Sequence, residues 1–247
     1  MSIFILILAT LIASIVQSAT GFGFALIVVP VYLIVLNSAS AIQIVILISI
    51  LMSLPLWIKL RNNMPDDFIK WVFIGCVIGF PVGIYLFLEM DLQIIKAAVA
   101  VFIIVISLQN AWNLFVVGNR KKIIESDGIP KSILSFMGFI SGIFGAAMAM
   151  PGPTMMLFLS KTNLQINQIR AVMMAVFAFA YSGAALMQVV FVGIDSDAWL
   201  MTAYVLPGAL LGVVIGHHLS KKINERLFKG LILIILVLTG IFMLLSL

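Results

Sequence analysis

Residues 3–36 read IFILILATLIASIVQSATGFGFALIVVPVYLIVL, an apolar block without a single charge, interrupted only by Gln17-Ser18-Ala19-Thr20-Gly21-Phe22-Gly23. On both sides of the interruption the run is continuously apolar. A membrane β-strand would instead alternate over about ten residues, so the block reads as helix. The rest of the chain follows suit. Of 247 residues 64% are hydrophobic and 9% charged, where a soluble domain carries about 25% charged residues. This much apolar surface needs lipid to face, and runs of about 20 apolar residues are long enough to cross a bilayer as helix. The opening stretch has no Lys or Arg before its apolar run and continues without a change of character, so it reads as retained rather than as a cleaved signal. The chain's one cysteine, Cys76, lies in an apolar run and reads as a small buried hydrophobe.

Beyond the opening block, the pattern predicts spans at Ala41–Ile58, Trp71–Leu88 and Ile94–Val117, then a long polar loop. A second broken block follows at Ser132–Ser160, interrupted by Pro151-Gly152-Pro153, with spans at Ala171–Val192, Ala198–Gly216 and Gly230–Leu247. The halves resemble each other. Gly83 and Gly216 are 133 residues apart, as are Lys96 and Lys229, and the same shift carries Gly75 and Gly79 onto Gly208 and Gly212. Lys and Arg crowd the loops 59–70, 118–131, 161–170 and 217–229, whereas loops 89–93 and 193–197 carry only acids. Short basic loops stay cytoplasmic. The plain spans then alternate correctly only if each broken block starts and ends on one side of the membrane. The expected fold is therefore an all-α membrane protein of two inverted-topology repeats, residues 1–117 and 132–247, joined by a cytoplasmic linker, 118–131. Each repeat is a broken or re-entrant helical hairpin followed by three transmembrane helices.

Two arms of about 15 residues would each reach some 22 Å as helix, short of a hydrocarbon core of about 30 Å. The tips should stop inside the membrane, where irregular backbone survives only against protein or a water-filled cavity. Interrupted segments at matching places of two inverted halves point to a transporter's substrate site. The helix after each break offers free N–H groups and a positive dipole end to an anion.

QSATGFGFALIVVP at 17–30, followed by VYLIV, resembles the first-repeat signature of the sulfite exporter TauE/SafE family. SGIFGAAMAMPGPTMMLFLS at 141–160 resembles its second-repeat counterpart. The resemblance covers nearly the whole chain. It implies transport of sulfite, sulfoacetate or another small, often sulfur-containing anion across the cytoplasmic (inner) membrane. The sequence departs from the family where Ala146-Ala147-Met148-Ala149-Met150 follows Gly145, with fewer glycines than many relatives carry.

The candidate substrate-binding residues are Gln17, Ser18, Thr20, Gly21 and Gly23 in the first half, with Gly145, Gly152, Pro153, Thr154 and Arg170 in the second. Each has a bland alternative. Gln17, Ser18 and Thr20 either donate to an oxyanion or satisfy backbone groups at the break. The glycines either admit a ligand or admit a neighbouring helix. Arg170 either snorkels to headgroups or pairs with an anion. His217 and His218 read as an interfacial pair, and Gln188, Tyr181 and Ser182 as bonds between helices. No Asp or Glu falls inside the six plain spans, and the one Lys or Arg within them is Lys96, near the start of Ile94–Val117, which argues against a carboxylate-based cation site. No Walker motif, metal-ligand cluster or nucleophile–base pair suggests an enzyme, a metal or another cofactor. The net charge of +5 is juxtamembrane, which suits anionic lipid and not nucleic acid. The expected partners are therefore a small anion and lipid, and a homo-oligomer is compatible with the reading. An anion-selective, channel-like pore is the alternative to a carrier acting by alternating access at a midplane site between the two hairpins.

Overall fold

The computed structural model describes residues 2–63, 66–112, 124–125, 128–219 and 225–245. The described chain is helical. In order come α1 (Ser2–Thr20), α2 (Phe24–Leu36), α3 (Ser40–Leu60), α4 (Asp66–Glu89) and α5 (Leu92–Trp112), then α6 (Lys131–Met148), α7 (Gly152–Leu159), α8 (Ile166–Phe191), α9 (Ser196–Leu219) and α10 (Glu225–Leu245). Among the described residues seven helices are long and apolar enough to cross a bilayer, which makes this a multi-pass membrane protein. Their outer faces carry exposed Ile, Leu, Val and aromatic side chains, as at Ile78 and Tyr85 of α4 or Leu211 and Val214 of α9. In water such a surface would aggregate; in lipid it is the expected exterior. Most of the expected linker, 118–131, lies outside the described residues, as do Lys221 and Lys222 of the last basic loop.

Both broken blocks are broken, but not into equal arms. α1 has 19 residues and α2 has 13, while α6 has 18 and α7 has 8. At 1.5 Å per residue the first arms reach about 27–29 Å and the second about 20 and 12 Å. The expectation of two 15-residue arms is therefore replaced by a long helix followed by a short one. The second break also falls earlier than expected, at 149–151 instead of 151–153. Gly152-Pro153 opens α7, because proline's fixed φ and missing N–H suit a first helical turn.

The backbone turns in the left-handed region at each break. Gly21 (φ 86) and Gly23 (φ 107) do so at the first, and Ala149 (φ 56) at the second. Glycine bears this conformation freely, whereas an L-residue is strained by roughly 1–2 kcal/mol. Gly21→Ala should lower the thermal midpoint in detergent. Ala149→Gly should leave it unchanged or raise it slightly, since relief of strain offsets the added unfolded-state entropy.

The chain forms two compact units that interleave its halves. One comprises Met1–Ile42, Met90–Lys121 and Ala203–Leu247; the other Gln43–Glu89 and Lys122–Thr202. In the second unit α4 lies on α6 with backbones in contact. A Cβ built on Gly75, Gly79 or Gly83 would meet the carbonyl of Ser135, Phe139 or Ile143, and one on Gly142 would stand 2.5 Å from the Cys76 carbonyl. In the first unit α9 lies on α1 in the same manner, with Gly212 against Leu11 and Gly216 against Ile15 and Ser18. Small residues four apart let membrane helices approach this closely. The α6 positions met by α4 (Phe139, Ile143, Ala146) and the α1 positions met by α9 (Leu11, Ile15, Ser18) differ by 128 throughout. So do the ends of α1 and α6 and the starts of α2 and α7.

Candidate functional site

The first break lies in the first unit. α1 ends by donating the Gly21 N–H to the Gln17 carbonyl at 2.7 Å. Thr20 caps the turn from the side, its hydroxyl standing 2.8 Å from the Val16 carbonyl and 2.7 Å from the Phe22 carbonyl. Ser18 donates to the Val213 carbonyl of α9 at 2.8 Å. The Thr20 hydroxyl thus serves the Phe22 carbonyl in the break and the Val16 carbonyl of its own helix, while Ser18 ties α1 to α9. Gln17 is buried. The N-cap of α2 is Gly23, which has no side chain to offer. Among the described residues no N-cap side chain bonds the first N–H groups of α2.

The second break repeats the arrangement with other residues. The N-cap of α7 is Pro151, again without a side-chain cap. Gly145 faces Pro151 Cβ and Ala180 Cβ, at 3.3 and 3.7 Å from its own Cβ position, and Gly152 lets the first turn of α7 lie against the Phe177 ring. These two glycines and the buried Pro153 shape the break. Thr154, in the first turn of α7, carries a buried hydroxyl with no hydrogen-bond partner among the described residues. A buried hydroxyl without a partner loses about 1–3 kcal/mol of hydration, and such an exception calls for an explanation in function.

α8 holds this break from behind. Tyr181 donates its hydroxyl to the Ala149 carbonyl at 3.1 Å, and Gln188 donates its amide to the Ala146 carbonyl at 3.4 Å. Gln43 of α3 completes the chain, donating to Gln188 Oε1 at 3.1 Å and to the Gly193 carbonyl at 2.8 Å. Tyr181 and Gln188 are seven residues apart and so share a helix face. The expected interhelical role of these two is what the geometry shows. Ser182 is exposed instead.

Arg170 sits in the second turn of α8, partly buried and engaged by a neighbour. His217 and His218 are exposed at the end of α9, with His218 Nδ1 2.9 Å from the Val214 carbonyl. The sequence reading did not single out Ser141 of α6. It is fully buried and its hydroxyl has no partner among the described residues. Its one signal in the sequence was spacing, a polar residue four before Gly145 on a helix face of small residues.

Among the described residues no group of three or more His, Cys, Asp or Glu is placed to hold a metal ion. The profile of a protein family described as Sulfite exporter TauE/SafE matches residues 6–243. No curated protein and no solved structure matches the chain.

Proposed function

The chain belongs to the sulfite exporter TauE/SafE family, and from that premise we propose that it is a secondary carrier for a small anion. Sulfite or a small organosulfonate is the substrate class, and the cytoplasmic (inner) membrane the location. The observation that carries this reading is the pair of uncapped helix starts, α2 and α7, the second with the unpartnered Thr154 hydroxyl beside it. Free N–H groups at a helix start favour negative charge. Thr154 is the residue assigned to the anion at the second break, and Gln17 is the candidate at the first, each taken by itself. Thr20 and Ser18 hold the first break, and Gly21, Gly23, Gly145, Gly152 and Pro153 shape the two breaks. Arg170 is assigned to the approach path rather than to the site, because a neighbouring group already engages it.

Alternating access follows from an inverted duplication in this reading. Supporting it is the constant 128-residue offset of the hairpins. The loop charges support the inversion. Contacts at the basic end fit a membrane interface: Lys131 Nζ stands 5.1 Å from the centre of the Trp71 ring, the pairing of cation and aromatic that membrane edges favour.

Counterflow tests the assignment. Proteoliposomes preloaded with unlabelled sulfite should take up labelled sulfite faster than empty ones, with saturation. A sulfite current that rises linearly with voltage and shows no trans-stimulation would make the protein a channel instead.

A further inference from the structure

The second break joins two helix ends of opposite polarity. α6 ends at Met148 and α7 begins at Gly152, so a negative and a positive dipole end, each about half an elementary charge, nearly meet there. Tyr181 and Gln188 lay buried donors on the carbonyls of Ala149 and Ala146. This mutes the electronegative side of the break. Buried hydroxyls without a partner among the described residues include Thr154, in the first turn of α7, Ser141 of α6 and Ser49 of α3. Ser141 is fully buried and lies one turn before Gly145 on the same helix face, the face that Gly145 turns to Pro151 and Ala180. Every buried polar side chain among the described residues is a hydroxyl or an amide. The donor set is therefore neutral apart from one partial helix charge.

We infer that the transported species is a singly charged anion and that a second full charge bars a molecule from the site. This rests on the anion-carrier reading above. The free energy of stripping water from an ion grows with the square of its charge, so a dianion costs about four times as much as a monoanion of equal size. Hydroxyls, amides and half a helix charge balance one charge and not two. For sulfite this selects hydrogensulfite over the dianion. Among organosulfonates it selects a monosulfonate over sulfoacetate, whose carboxylate supplies the second charge.

The test uses the full chain in proteoliposomes, with labelled sulfite and labelled methanesulfonate as substrates, across the pH interval in which sulfite loses its last proton. Methanesulfonate keeps one charge throughout and so reports any titration of the protein itself. At constant total sulfite, uptake relative to methanesulfonate should fall at least tenfold from the acid to the alkaline end. Plotted against hydrogensulfite concentration, the rates should fall on one curve. Sulfoacetate should fail to compete with methanesulfonate at any pH. Sulfite uptake that stays level or rises with pH, or competition by sulfoacetate equal to that of unlabelled methanesulfonate, overturns the inference while leaving an anion carrier in place. Absence of protein-dependent uptake of either substrate at every pH overturns the carrier reading itself.

Discussion

Gly142→Leu is expected to abolish the folded protein. A Cβ at this position would already stand 2.5 Å from the Cys76 carbonyl oxygen and 3.0 Å from the Cys76 Cα. The obstacle is helix backbone, which cannot rotate aside as a side chain can. Extra atoms in a packed interior cost about 1–3 kcal/mol even where neighbours can yield. Here α4 and α6 must separate along their whole interface, because Gly75, Gly79 and Gly83 interlock with the same helix. The loss is then a large share of a total stability on the order of 5–15 kcal/mol. Size-exclusion chromatography in detergent should show aggregate in place of a monodisperse peak. Gly128→Leu is the matched control: its Cβ position has no neighbour within 4 Å among the described residues, and its profile should match that of the unaltered protein.

The order of helices was legible because charge is so scarce. With 9% charged residues, each basic or acidic cluster marks a helix boundary, and the observed elements follow those clusters to within a few residues. The partner of each glycine stripe was not legible. Gly75, Gly79 and Gly83 announce a close approach, but spacing along one helix does not say which helix approaches. That α4 takes α6 while α9 takes α1 is a property of the tertiary fold.

The breaks were half legible. Gly21 and Gly23 mark the first, since glycine is the usual residue at positive φ. The second was misplaced by two residues because the glycine there, Gly152, is a close-packing residue under Phe177, while the left-handed turn falls on Ala149. The hydroxyls show the limit most clearly. Thr20, Ser18 and Thr154 are alike as letters. Two of them serve carbonyls within hydrogen-bond distance and the third serves none. Only the positions of the neighbouring atoms separate them.

That difference sets the second large prediction and the decisive measurement. Thr154→Val keeps the side chain's shape and deletes the one atom that has no partner among the described residues. Removing an unsatisfied buried hydroxyl should leave the thermal midpoint unchanged or raise it, since the hydration lost on burial is recovered. Thr20→Val strips the hydroxyl serving the Val16 and Phe22 carbonyls and should lower the midpoint by the equivalent of about 1 kcal/mol or more. A hydrogen bond to a charged ligand contributes about 1.5–3 kcal/mol, which corresponds to roughly a 10- to 150-fold change in affinity. The measurement is saturable uptake of labelled sulfite into proteoliposomes at matched protein density, Thr154→Val against the unaltered chain. The expected result is at least a tenfold loss in the uptake rate per unit substrate at low sulfite, from a protein that melts no earlier. Undiminished uptake by a stably folded Thr154→Val protein would contradict the assignment of the anion to the start of α7.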